Sequence, residues 1–124
     1  YNTPPCWCIY MLGLVLDWLE EKGGVEGMEA IKHGKARMLY DTIDASRLFT
    51  CAVEKDSRSD MNVVFRTASE ELDAKFVKES VDAGFTNLKG HRSVGGMRAS
   101  IYNAMPVEGV EKLCDFIRAF DKNN

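Results

Sequence analysis

Between Ile9 and Lys22 the sequence reads as a helix with almost no face to turn toward water. At the helical turn of about 100° per residue, Ile9, Leu12, Leu14, Val15, Leu16, Trp18 and Leu19 point in nearly every direction, and Asp17 is the one charge before Glu20. A helix that is apolar all round must be covered all round. The rest of the chain can supply part of that cover, and a partner subunit or a further domain would supply it better. The stretch from Cys6 to Leu19 is interrupted by Asp17 and falls short of the roughly 20 apolar residues that cross a bilayer. No basic segment precedes it and no small-residue cleavage site follows, so it is not a signal peptide. It reads as a buried helix. The chain opens on Tyr1 rather than Met, which suggests a piece of something longer, a processed terminus or a trimmed chain.

The remaining elements follow from periodicity and punctuation. Gly23-Gly24 is a helix stop, and a second helix is expected from Val25 to about Ala45, with Met28, Ile31, Leu39 and Ile43 near helical spacing. Leu48–Val53 and Met61–Arg66 read as strands separated by the polar turn Glu54–Asp60. Ser69 offers an N-cap for a helix whose Leu72, Phe76, Val77 and Val81 form one apolar stripe, closed by Gly84. Phe85–Lys89 and Met97–Tyr102 read as two more short strands around a glycine-rich loop. Pro106 suits the first turn of a last helix carrying Val107, Val110, Leu113, Cys114, Ile117 and Phe120. The expectation is an α+β layer, a short and mostly antiparallel sheet covered by helices mainly on one face. Short connections leave no room for a second compact domain after residue 24.

The stretch LKGHRSVGGMRASIYNA (Leu88–Ala104) gathers Lys89, His91, Arg92 and Arg98 around Gly90, Gly95 and Gly96. The chain as a whole has 124 residues and a net charge of -3, which argues against the broad basic face that nucleic acid needs. An anion site here must therefore be local. Arg presents a planar fork that matches a carboxylate or phosphate in two hydrogen bonds, so Arg92 and Arg98 could each clamp one anionic group. His91 can donate to a phosphate, and the glycines let backbone N–H groups approach closely. The phosphate-loop test fails, because Gly96 and Met97 stand where Lys and Ser or Thr are required after Gly95. On the residues alone, an anion site and a basic hairpin kept for solubility are evenly matched.

Other chemistry is thin. Cys6, Cys8, Cys51 and Cys114 match no zinc or redox pattern and read as reduced, partly buried apolar residues. His33 reads as a solvated surface residue, and Glu20-Glu21 and Glu70-Glu71 as solvated faces. The chain offers groups that bind and few that react.

Several separated motifs nevertheless point to one family. KGHRSVGGMRASIYNAMPVEGVEKL (Lys89–Leu113) closely resembles the C-terminal signature of phosphoserine aminotransferases, and NTPP (Asn2–Pro5), the long apolar helix and SRSDMNVVFR (Ser57–Arg66) resemble the same family in the same order. Only Cys6-Trp7-Cys8 departs, in a stretch where the family varies. The resemblance implies a pyridoxal-phosphate enzyme of aspartate-aminotransferase fold type I, a cytoplasmic homodimer of serine biosynthesis with no nucleic-acid or membrane partner. It exchanges an amino group between glutamate and 3-phosphohydroxypyruvate to give 3-phosphoserine and 2-oxoglutarate, and in many bacteria it also serves pyridoxine biosynthesis.

Carried over by position, Asn2 and Thr3 resemble the pair that reaches the cofactor phosphate of the neighbouring subunit. His91 and Arg92 resemble the pair that helps hold the substrate phosphate, also across the dimer interface, and Arg98 the arginine that grips the substrate carboxylate. The resemblance further implies that residues 1–24 end the large cofactor-binding domain with its connecting helix, and that 25–124 form the small C-terminal domain. The lysine that forms the Schiff base, and the acidic residue facing the pyridinium nitrogen, would lie upstream, so no catalytic residue and no metal ligand is assigned in this chain. Lys89 gains no such role from being near the site. The isolated chain is expected not to turn over substrate. The rival reading is a free-standing module that binds phosphorylated amino acids without reacting them, and an RNA binder is disfavoured by the net charge.

Overall fold

The computed structural model describes residues 2–124. They form two compact units, one running to Ile31 and the other from Lys32 to Asn124. In the first, helix α1 covers Cys6–Glu21. Pro4 and Pro5 start it by offering their carbonyls to Cys6 N–H at 2.8 Å and Ile9 N–H at 3.1 Å. Gly23 and Gly24 stop it with φ values of +89° and +67°, in the left-handed region that side chains avoid. No residue of α1 is buried, and Trp7 is 71% exposed. The expectation of a buried helix is therefore not met within this chain. The core cluster draws its residues from Ala36 to Phe120, and α1 contributes none. For the same reason Cys6 and Cys8 are exposed rather than partly buried, whereas Cys114 is buried and all four thiols are free.

Helix α2, Gly24–Asp44, begins in the first unit and runs into the second. There Ala36, Leu39, Tyr40 and Ile43 recur at helical spacing and are buried. Strands β1 (Asn62–Phe65) and β2 (Met97–Ser100) pair antiparallel, with Val63 opposite Ala99 and Phe65 opposite Met97. Strand alternation turns these four residues to one face, where all are buried; Asn62, Val64, Arg98 and Ser100 take the other. Helix α3 (Glu70–Asp82) is capped as expected by Ser69, whose Oγ accepts Leu72 N–H at 3.2 Å. Helix α4 (Val107–Asn123) buries Val110, Leu113, Cys114, Ile117 and Phe120, as their spacing predicts.

Two expected strands are absent. Leu48–Val53 forms only an isolated bridge, from Thr50 to Arg66 just past β1, and Phe85–Lys89 only an isolated bridge, from Lys89 to Met97 of β2. In the first segment the amides a strand would use are taken by side chains: Leu48 N–H donates to Asp121 Oδ1 at 2.8 Å and Phe49 N–H to Ser46 Oγ at 3.0 Å. In the second, Asn87 sits at φ +60° and breaks the extended run. The α3 stripe also differs by one position. Ser80 is buried, donating its hydroxyl to Val77 O at 2.7 Å, while Val81 is exposed.

The core closes around aromatic rings. Phe76 of α3 packs against Phe49, Phe65 and Phe120 with centroids 5.0, 5.9 and 5.1 Å apart, in edge-to-face geometry. Each such pair adds about 0.5–1.5 kcal/mol beyond burial. One buried charge sits among the apolar residues. Lys35 is 1% exposed and its Nζ donates to Tyr102 O at 2.8 Å and Met105 O at 2.9 Å, pinning the turn that follows β2. Burial pushes its ammonium pKa down.

Candidate anion-binding site

The glycine-rich turn is built on the end of β2. Arg98 N–H donates to Leu88 O at 2.8 Å and Gly90 N–H to Gly96 O at 2.8 Å, which closes the base of the loop. Val94 and Gly95 N–H then both donate to His91 O at 2.9 Å, which folds its tip. Two glycines are required by geometry. A Cβ on Gly90 would lie 2.2 Å from Gly95 O, and one on Gly96, which also has φ +63°, would lie 2.7 Å from Phe65 O. This sequence can cross itself so closely only because those side chains are missing.

The turn leans over the open face of the sheet and encloses a cavity of about 250 Å³ lined by Val64, Arg66, His91, Gly95 and Arg98 among others. Ser93 N–H points at His91 Nδ1 at 3.3 Å, and Ser93 Oγ lies 2.7 Å from it. With Nδ1 accepting, the ring proton sits on Nε2 and is available to an anion. His91 and Arg98 thus line one cavity, Arg92 lies on the same turn outside that lining, and Lys89 is exposed at the loop's base. Asn2 and Thr3 are exposed in the other unit, ahead of α1.

Arg37, Arg47, Arg58 and Arg118 each meet an aspartate. The tightest is Arg58, whose two terminal nitrogens take both oxygens of Asp44 at 2.8 Å and hold that carboxyl below its ordinary range. Asp121 is also lowered. Burial alone would raise it, but bonds from the Ser46 hydroxyl and the Leu48 and Arg47 amides, with the Arg47 charge, prevail. Arg66, Arg92 and Arg98 are the chain's three other arginines, and none has an acidic partner among the described residues. All three stand at the glycine turn or on the strand end beneath it. A hairpin kept for solubility gives no reason for that segregation, whereas an anion site does.

Arg66 is the residue that sequence reasoning missed. It closes the SRSDMNVVFR motif, but its separation from the glycine turn hides a proximity that strand pairing creates. His33, read as solvated, places Nδ1 2.6 Å from Asp60 Oδ2. No metal-binding cluster occurs among the described residues. Nor is any helix among them long and apolar enough to cross a membrane.

The chain has clear relatives among known proteins. The chain is similar to phosphoserine aminotransferase of Lactococcus lactis subsp. cremoris (strain MG1363), at 56% identity over 100% of the chain and 34% of that protein. It is also similar to that of Listeria monocytogenes serovar 1/2a, at 57% over 97% of the chain and 33% of the relative. Among solved structures it superimposes on phosphoserine aminotransferase from Bacillus circulans subsp. alkalophilus with a TM-score of 0.95 at 54% identity, covering 99% of this chain and 34% of that one. PLP-bound phosphoserine aminotransferase from Trichomonas vaginalis matches with a TM-score of 0.87 at 40% identity, over 95% and 34%. The chain thus spans about a third of the length of these relatives. The family model described as aminotransferase class-V matches residues 1–113, from the NTPP segment through the arginine-bearing turn and into α4, and the chain belongs to that family.

Proposed function

We propose that the protein containing this chain is a pyridoxal-phosphate-dependent phosphoserine aminotransferase, and that the chain supplies its grips for the substrate's anionic groups. It moves an amino group from glutamate to 3-phosphohydroxypyruvate, yielding 3-phosphoserine and 2-oxoglutarate. The observation that carries this reading is the set of arginines without acidic partners beside His91, on a turn whose glycines permit close approach. In support, the relatives named above carry the name of this enzyme, which favours it over a stand-alone binding module.

Within the reading, Arg98 takes the substrate carboxylate in its fork, while His91 Nε2–H and Arg92 take the phosphate. Asn2 and Thr3 offer an amide and a hydroxyl to the cofactor phosphate; both are exposed and polar, which suits that role. When bound, the cofactor supplies the electron sink for breaking bonds at the amino-acid Cα. Lys35, the one buried lysine among the described residues, spends its Nζ on backbone carbonyls, and the family resemblance puts the cofactor-bearing lysine in the upstream part. Residues 1–24 then end the large domain and 25–124 form the small one, in a cytoplasmic homodimer.

The test is glutamate-dependent amination of 3-phosphohydroxypyruvate by the complete protein and by its Arg98→Lys variant. Arg98→Lys keeps the charge and loses the fork. Turnover should fall substantially in the variant while cofactor remains bound. Absence of the reaction in the unaltered protein refutes the function, and unchanged kinetics in the variant refute the role of Arg98.

A further inference from the structure

We propose that Arg66 is a further substrate-binding residue that serves the phosphate end of the site and sets its preference for the phosphate-bearing acid. The proposal rests on the aminotransferase reading above. Its geometric basis is the sheet. The β1–β2 pairing joins residues whose numbers run Asn62 to Ser100, Val63 to Ala99, Val64 to Arg98 and Phe65 to Met97. One step further along that register, Arg66 falls opposite Gly96. Strand alternation then puts Arg66 on the same open face as Val64 and Arg98, diagonal to Arg98 at about 7–8 Å between backbones.

The two guanidinium groups carry like charge on one face of the sheet, and the fold gives neither of them an aspartate or glutamate partner among the described residues. Yet the chain holds Arg66 firmly. Its N–H donates to Thr50 O at 2.9 Å and its carbonyl accepts Thr50 N–H at 2.8 Å. The residue beside it is a glycine in the left-handed region, where a Cβ would come 3.1 Å from the Cβ of Arg66. Gly96 therefore lets the His91 turn close down next to Arg66, and both side chains line the same cavity. The fold thus presents Arg66 fixed, exposed and unneutralised beside the His91 turn, where an anion can meet it.

The division of labour follows from charge and oxygen count. A carboxylate carries one negative charge and is satisfied by one fork, which Arg98 provides. A phosphate monoester carries about -1.5 to -2 at neutral pH and three accepting oxygens, so the single fork of Arg92 and one ring N–H of His91 leave it short of donors. Arg66 lies toward the His91 turn and Arg98 further along β2, so Arg66 belongs to the phosphate end.

The experiment uses the complete enzyme with Arg66→Gln and Arg66→Lys. The half-reactions with phosphoserine and with glutamate, which lacks a phosphate, are followed separately through the cofactor's absorbance. Loss of one charged hydrogen bond corresponds to about tenfold or more in affinity. Arg66→Gln should raise KM for phosphoserine about tenfold more than KM for glutamate, with kcat much less affected, and Arg66→Lys should restore part of it. Equal KM changes for the two substrates, or none, with cofactor bound and native thermal stability, would overturn the proposal. If Arg66→Gln does not fold, Arg66→Lys decides by the same ratio, since it keeps charge and loses the fork. An unaltered enzyme that does not act on phosphoserine would refute the aminotransferase reading instead.

Discussion

Adding one methyl group at Gly90 should disable the site without unfolding the domain. The methyl of Gly90→Ala would start 2.2 Å from Gly95 O, 2.8 Å from Gly96 O and 3.0 Å from Gly95 C. A carbon and a carbonyl oxygen rest at about 3.2–3.5 Å, so the strands of the loop must part by roughly 1 Å. No flexible side chain can absorb that movement, because every atom in the way is backbone. The Gly90 N–H to Gly96 O bond at 2.8 Å is the first to yield, at a cost of about 1 kcal/mol. The stability loss is small because residues 89–96 contribute no member to the core cluster. The functional loss is larger, since a misplacement of about 1 Å at a positioning group costs on the order of a hundredfold in rate. On the aminotransferase reading proposed above, kcat/KM of the complete protein for phosphoserine should fall by about that factor while the thermal midpoint moves little. Gly34→Ala is the control. It sits on α2, where an added Cβ meets nothing within 4 Å, and should stabilise by about 0.5–1 kcal/mol. If Gly90→Ala left kcat/KM intact, the loop closure inferred here would be wrong.

Replacing Lys35 by Met should loosen the turn after β2. Two charged bonds to Tyr102 O and Met105 O are lost, partly offset by no longer burying an ammonium, for a net cost of about 2–3 kcal/mol. Amide exchange over residues 101–106 should accelerate; unchanged protection there would show that Lys35 holds nothing. Asp44, held low chiefly by its hydrogen bonds from Arg58, binds its proton less readily folded than unfolded. Its stabilisation is therefore fully present above the ordinary carboxylate value of about 4 and is lost as pH falls below it. Asp44→Asn should be less stable at neutral pH and show a shallower decline between about pH 5 and 3. Parallel curves for the two proteins would remove Asp44 from the acid response.

How much of this was legible depended on how local the determining interaction is. Helices α2, α3 and α4 could be read because their burial follows a 3.6-residue period and their ends carry local signals, Gly24, Ser69 and Pro106. The strands were half legible. Met61–Arg66 and Met97–Tyr102 pair, but Leu48–Val53 and Phe85–Lys89 were misread because Asp121, far along the chain, takes the amide of Leu48, and because Asn87 adopts a left-handed conformation that its identity permits but does not announce. Ser80 in place of Val81 on the buried side of α3 likewise reflects which face meets Phe49 and Phe120, not which residue is more apolar.

The site divides in the same way. By its sequence alone the chain carries the hydrogen-bond donors of His91, Arg92 and Arg98, the glycines that let their turn close, the motifs of its family and an apolar helix that calls for cover. Only the tertiary structure could show that Arg66 joins that turn, because strand register brings residues thirty positions apart into one face. Only it could separate the arginines that meet aspartates from those with no acidic partner among the described residues. Charge and fork geometry are properties of a residue type and travel with the letter, whereas pairing is a property of where the folded backbone places two letters.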